Sequence, residues 1–295
     1  MKNYLLMIMA CVFWAGAFIA GKSSVGSFGP WTLTFYRFFF ASIILFPILW
    51  IKHPKSLQLN WIQWKSVLIL GLVGMTGYHV LFFTALKYTS ASSASMLAAT
   101  NPIMTAVLLS IFYKEKLSPA KLGLLGLALL GVVLTITNWD LSSLLEMKRN
   151  IGELIMLVAV FCWACYSILV KKYIVNFKPI VMTAYAFLTC TVMVVPFALY
   201  EGMIDASIHA PVSAWGSVLY MALFASVIGY GIQQDSIQKI GPAKTNIFIN
   251  LVPVFSLILA FLILGENIPY TKLISGGLII ASVACFNLLS MKSAK

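Results

Sequence analysis

The segment FYRFFFASIILFPILW (Phe35–Trp50) is almost entirely apolar and aromatic, yet it contains Arg37. As a helix, about 20 such residues cross the hydrocarbon core of a bilayer. The whole chain is 61% hydrophobic and only 9% charged, whereas a soluble domain carries roughly 25% charged residues. The chain therefore has too little polar material for a water-facing surface, and the sequence predicts an integral membrane protein.

Ten apolar runs are long enough to span a membrane. Because lipid offers no hydrogen bonds to the backbone, each run is expected to be a helix, which makes the fold class all-α and polytopic. The predicted spans are 4–25, 31–51, 62–85, 90–113, 118–137, 151–173, 179–200, 212–235, 241–264 and 271–291.

The basic residues predict the orientation. The net charge of +12 is spread between apolar runs and not clustered, so no nucleic-acid partner is expected. Lysines concentrate in the N-terminal tail and in loops on the same side, such as those that begin at Lys52, Lys114 and Lys171. By the positive-inside rule, both termini are predicted to be cytoplasmic in an inner or plasma membrane.

The two halves of the chain repeat each other. Residues that recur in order include Trp14 and Trp163, Pro102 and Pro253, and Glu115 and Glu266. Each half holds five predicted spans, and because five is odd, the second half enters the membrane upside down. The predicted domains are a first five-helix repeat at 1–137, a connecting outer loop at 138–150 and a second repeat at 151–295. Inverted repeats of this kind are typical of transporters with a site near the bilayer midplane.

Longer motifs carry a family resemblance. They are FWAGAF (Phe13–Phe18), FYRFFFA (Phe35–Ala41), and the paired stretches TNPIMTAVLLSIFYKEKLSPAKLGLLGLALLGVVL (Thr100–Leu134) and LVPVFSLILAFLILGENIPYTKLISGGLIIAS (Leu251–Ser282). With these motifs the chain resembles the EamA-type, ten-helix branch of the drug/metabolite transporter superfamily. The resemblance implies an exporter or exchanger of small metabolites, amino acids among them.

Arg37 has two interpretations. It either extends along the helix to the outer headgroups or turns inward and presents a fixed positive charge to a substrate carboxylate or to helix carbonyls. Its counterpart in the second repeat is Ala186. A charge needed only to build one half would be expected in both halves, and this difference favours a functional role.

The aromatic candidates occur as repeat-related pairs. Trp14 and Trp163 lie near the middle of their helices beside small residues, where an indole either lines a cavity for organic solutes or fills the core. Tyr36 and Tyr185 form a second pair, which either contributes hydroxyl groups to a site or serves packing.

The remaining candidates are His79, Asn101 and Asn250. His79 is either a group that titrates in the site or a buried histidine bonded to its own helix. Asn101 and Asn250 precede Pro102 and Pro253, and each proline leaves a backbone carbonyl without its helical donor. These amides either bind substrate or repair the kink. Gln233 and Gln234 either gate the site or cap their helix.

No phosphate loop, zinc motif or nucleophile elbow is visible, so neither an enzyme nor a cofactor is expected. The predicted function is a membrane transporter that exports or exchanges small organic metabolites, such as amino acids or related carboxylate-bearing solutes, by alternating access. Its partners would be a small-molecule substrate and the lipid bilayer. The alternative is a polytopic scaffold or receptor-like protein that transports nothing.

Overall fold

The structure is a computed structural model that describes residues 2–114, 117–140 and 151–293. Among these residues, ten helices are long and apolar enough to cross a membrane, which confirms the predicted all-α, multi-pass fold. We number them α1 (Lys2–Phe28), α2 (Pro30–Lys52), α3 (Trp61–Tyr88), α4 (Ala91–Tyr113), α5 (Pro119–Thr137), α6 (Ile151–Tyr173), α7 (Pro179–Tyr200), α8 (Val212–Ile240), α9 (Lys244–Leu264) and α10 (Tyr270–Met291). Glu115 and residues 141–150 of the expected connecting loop lie outside the described residues.

Helix starts follow from local sequence. Proline occupies the first turn of α2, α5 and α7, where its missing N–H has no helical partner to lose. Asn60 begins α3 with a capping box, because its side chain accepts from the Gln63 backbone N–H and the Gln63 side chain accepts in return. Gly29 makes the tight turn from α1 into α2 with a φ of 75°, a left-handed conformation that glycine adopts without a Cβ penalty.

Two helices are broken at matching places in the two repeats. In α4, a helical segment ends at Ala98 and the next begins at Asn101, just before Pro102. In α9, one segment ends at Ile249 and the next begins at Leu251, just before Pro253. Discontinuous helices in equivalent halves mark the binding region of many transporters, because the freed backbone groups can face a polar cavity.

Each repeat also contains one wider, π-helical segment. The first is Gly71–Tyr78 in α3 and the second is Met221–Ile228 in α8. A π-helical turn carries more residues than an α-helical one and often occurs at functional sites. The first segment ends at Tyr78, which lines the cavity described below, and the second ends two residues before Tyr230, which lines it as well.

The packing of the helices is symmetric between the repeats. Helix α2 packs on its counterpart α7, and α5 packs on its counterpart α10. The contact of α3 with α6 corresponds to the contact of α8 with α1. In the same way, the contact of α4 with α6 corresponds to the contact of α9 with α1. Exchanging the two halves therefore reproduces these packing partners, as two inverted repeats require.

Large apolar side chains cover the outside of the bundle. Ile43, Trp50 and Ile51 on α2 and Phe261 on α9 are all exposed. In a soluble protein such a surface would cause aggregation, but on these spanning helices it is the surface that faces lipid.

Candidate functional site

A cavity of about 570 Å³ lies inside the bundle. Ligand sites in proteins commonly enclose about 300–1,000 Å³, so the space suits a small organic molecule. The cavity is formed mainly by α1, α4, α6, α8, α9 and α10, with Arg37 contributed by α2 and Tyr78, His79 and Phe82 by α3.

The cavity extends toward the end of the bundle that carries the chain termini. At that end it is lined by Ile174 after α6, Pro179 at the start of α7, Gln238 near the end of α8 and Ser290 near the end of α10. The helices alternate in direction, so all four positions lie at the same end. The cavity therefore approaches one face of the membrane.

Polar contacts close the opposite end. Lys22 on α1 donates to the carbonyl oxygens of Leu86 and Thr89, at 2.7 Å each, and the Thr89 hydroxyl donates to Glu153 on α6. The Glu266 carboxylate accepts from the backbone N–H groups of Ala91 (2.7 Å) and Ser92 (3.2 Å) at the start of α4. We call this set of contacts the outer seal, and it links helices of both repeats.

Arg37 lies at the cavity and is only 4% exposed. Its Nε donates to the Ser226 hydroxyl at 3.0 Å, and that hydroxyl donates to the Met221 carbonyl, also at 3.0 Å, within the π-helical segment of α8. The side chain therefore points into the protein, and the alternative in which it reaches the headgroups does not apply.

Apart from the Phe38 ring, whose centroid lies 5.4 Å from the guanidinium carbon, the rest of the guanidinium has no partner among the described residues. Within the described part of the chain, its two terminal amino groups make no hydrogen bond and no carboxylate forms an ion pair with it. Arg37 is also the only Lys, Arg, Asp or Glu among the described residues that line the cavity. The cavity thus holds a single, uncompensated positive charge.

Aromatic rings surround the region beside Arg37. The Trp163 ring lies 4.8 Å from Tyr78 and 4.9 Å from Tyr166, measured between ring centroids. The Trp14 Nε1 donates to the Ala225 carbonyl at 2.9 Å, and its ring lies edge-on to Tyr230 at 6.2 Å. Both tryptophans face the cavity, as one of the two interpretations expected, and Tyr78, Tyr166 and Tyr230 were not predicted.

His79 is bonded to its own helix and also borders the cavity. It lines the cavity but is only 2% exposed. Its Nδ1 lies 2.9 Å from the Met75 carbonyl of its own helix, and its ring packs edge-on against Phe38 at 4.7 Å. The histidine is therefore held in place by its own helix and by the Phe38 ring.

Neutral amides line the rest of the cavity. Asn101 and Asn250, both proposed from the sequence, lie beside the breaks in α4 and α9. Five further amide side chains line the cavity, which are Gln233, Gln234, Gln238, Asn246 and Asn287. Gln233 and Gln234 face the cavity, which goes beyond the capping role that their place near the end of α8 suggested. Asn287 gave no sequence signal because it lies in an unbroken helix.

Tyr36 and Tyr185 do not line the cavity. The Tyr36 hydroxyl bonds with Ser207 of the short helix Met203–His209, and its ring packs against Trp215 at 4.8 Å. The Tyr185 hydroxyl donates to the Leu57 carbonyl at 2.6 Å, in the connection between α2 and α3. Of the two interpretations of this pair, the contacts fit the one in which it serves packing, because both hydroxyls are already paired outside the cavity.

Comparison with known proteins gives full-length similarity. The EamA-like transporter family matches residues 1–137 and 150–288. A Bacillus subtilis (strain 168) protein named "Uncharacterized transporter YyaM" is 30% identical over 95% of this chain and 92% of its own length. A Streptantibioticus cattleyicolor protein named "Probable terminal-alkyne amino-acid exporter" is 26% identical over 95% of this chain and 92% of its own length.

A solved crystal structure has the same fold, with a TM-score of 0.67 at 21% identity over 98% of each chain. The family match extends over both halves of the chain, and the ten spanning helices enclose a central cavity. The chain belongs to the EamA-like transporter family and is a multi-pass membrane transporter.

Proposed function

We propose that this transporter exports or exchanges small organic metabolites that bear a carboxylate, such as amino acids and related acids, by alternating access. The observation that supports this proposal is the unpaired guanidinium of Arg37 in a cavity without any described acidic side chain. A relative that is similar over almost its full length is named as a probable amino-acid exporter.

The chemistry of the guanidinium favours a carboxylate as its partner. Its planar fork matches two carboxylate oxygens, and such charge-assisted pairs are about twice as strong as neutral hydrogen bonds. Ser226 holds Nε, so the two terminal amino groups remain available on one edge. The aromatic rings of Trp14, Trp163 and Tyr78 offer apolar contact for the rest of the solute.

The direction of export follows from the proposed orientation. If both termini are cytoplasmic in the cell membrane, the cavity faces the cytoplasm and the outer seal closes the external side. A cavity open to the cytoplasm is the state in which an exporter loads its substrate.

The test is counterflow of labelled carboxylates into vesicles that contain the purified protein. Removing the charge in Arg37→Gln should weaken carboxylate affinity at least about 30-fold, because a hydrogen-bonded buried charge pair is worth about 2 kcal/mol or more. Arg37→Lys should give an intermediate loss, since an ammonium cannot bind both oxygens through a planar fork.

Lys87→Gln is the matched control, because it also removes one positive charge but at an exposed position at the end of α3. It should transport like the wild type. Unchanged affinity in Arg37→Gln, with the protein still folded, would refute the role of Arg37. A scaffold that transports nothing would show no counterflow of any solute.

A further inference from the structure

Asn250 is a buried amide with an unused donor. It lies between the two segments of α9, lines the cavity and is 9% exposed. Its Oδ1 accepts from Asn287 Nδ2 on α10 at 3.4 Å. Its own Nδ2 is buried and has no hydrogen-bond partner among the described residues. The Asn250–Asn287 pair therefore has one amide donor that the protein does not use.

An unused buried donor is unfavourable unless something pairs with it. Leaving such a group without a partner costs about 1–3 kcal/mol. The χ2 torsion of asparagine is broad, so the amide can turn toward the cavity with little strain. An acceptor oxygen of a solute in the cavity would then satisfy it.

The neighbouring side chains restrict the chemistry of that solute. Near Asn250 the described lining consists of amides, hydroxyls and apolar groups, with no carboxylate to pair with an ammonium. At 1.5 Å per residue, Arg37 lies roughly 10 Å from the Pro30 end of its helix, and Asn250 lies roughly 21 Å from Leu264 at the same end of the bundle. The two groups are thus separated by roughly 10 Å in depth.

We propose that the Asn250–Asn287 pair is a second substrate subsite, which binds an acceptor oxygen at the far end of a solute whose carboxylate is held by Arg37. This inference rests on the proposed function of Arg37. The substrate class is then carboxylic acids with a distal oxygen acceptor, either a neutral carbonyl or a second carboxylate. Acids with a distal ammonium are disfavoured, because the subsite offers N–H donors.

The experiment uses chain length as a molecular ruler. Purified full-length protein in detergent is titrated with three series of linear acids, which end in a methyl group, a carboxamide or a second carboxylate. The wild type should bind the acceptor-bearing acids about 3- to 10-fold more tightly than the methyl-ended acid at one chain length. The carboxamide and dicarboxylate series distinguish a neutral carbonyl from a second carboxylate as the preferred group.

Variants of Asn250 test the assignment. Asn250→Leu keeps the branched shape of the side chain but removes the amide donor, so it should abolish the optimum in chain length. Asn250→Asp replaces the donor by an acceptor, so it should reject the dicarboxylates and gain affinity for ω-amino acids. Asn267→Leu is the matched control, because Asn267 is an exposed asparagine just after α9 that does not line the cavity. It should keep the optimum.

The outcomes separate this subsite from the proposed function. If methyl-ended acids bind in an Arg37-dependent manner but no chain length is preferred, the subsite is refuted and the carboxylate site stands. An optimum that persists in Asn250→Leu refutes the subsite as well. If no acid binds, or if binding is unchanged in Arg37→Gln, the proposed function fails instead.

Discussion

Glu266 offers the most informative test of how the outer seal controls access to the cavity. Its carboxylate accepts two backbone N–H groups at the start of α4, where the helix dipole also favours a negative charge. Glu266→Gln keeps one acceptor oxygen but loses the charge and one bond. A hydrogen bond to a charged group contributes about 1.5–3 kcal/mol, and because Glu266 is partly exposed, we expect a loss of about 1–2 kcal/mol.

A loss of this size should shift the equilibrium toward an open outer end by a factor of about 5–30. Ser95→Cys places a thiol on the cavity-lining part of α4. A membrane-impermeant maleimide applied to the side opposite the termini then measures access. Glu266→Gln should raise the labelling rate of this cysteine about 5- to 30-fold, with the protein lacking Ser95→Cys as the background.

Glu201→Gln is the matched control. Glu201 is also partly buried, and its carboxylate accepts from the backbone N–H groups of Trp31 and Thr32 at the start of α2. It ties α7 to α2, which pack along each other, and not to the helices of the outer seal. Its substitution should lower thermal stability by a similar amount without raising the labelling rate. Equal labelling rates in both variants would refute the role of Glu266 as a seal.

Three further predictions concern the interior. Ser226→Ala removes the acceptor that orients Arg37. Because a hydrogen bond from a charged group is lost, carboxylate binding measured by titration should weaken about tenfold. Unchanged affinity would contradict this role. Gly74→Ala places a Cβ 2.1 Å from the Tyr166 ring and should lower stability in a thermal melt by about 1–3 kcal/mol, whereas Gly231→Ala, which meets nothing within 4 Å, should not. Tyr36→Phe and Tyr185→Phe should leave the KM for transport unchanged, because both hydroxyls bond outside the cavity. A raised KM in either variant would show that the tyrosine hydroxyl reaches the substrate.

The spanning helices were predictable from the sequence because hydrocarbon imposes a strict rule. Each run had to be long, apolar and internally hydrogen-bonded, so its approximate ends follow from composition alone. The breaks in α4 and α9 were also expected, since Pro102 and Pro253 cannot donate to the helix. The repeat was predictable as well, because matching residues such as Trp14 and Trp163 recur in the same order in both halves.

The direction of each side chain was not predictable in this way. Every span is apolar around much of its circumference, so periodicity does not reveal which face turns inward. The repeat suggested that Tyr36 and Tyr185 belong to the site, but each hydroxyl bonds into a connecting segment of the other half, Tyr36 between α7 and α8 and Tyr185 between α2 and α3. Asn287 was missed because its partner, Asn250, is brought near only by the packing of α9 and α10.

The sequence by itself determined that this chain has ten apolar runs long enough to cross a membrane and that Arg37 needs either the headgroups or a polar interior. Only the tertiary structure decided between these two environments. The rotation of α2 is set by its packing on α7 and on the π-helical segment of α8, where Ser226 meets the guanidinium. Helix rotation in a bilayer depends on contacts with neighbouring helices, and those contacts exist only when the bundle is assembled.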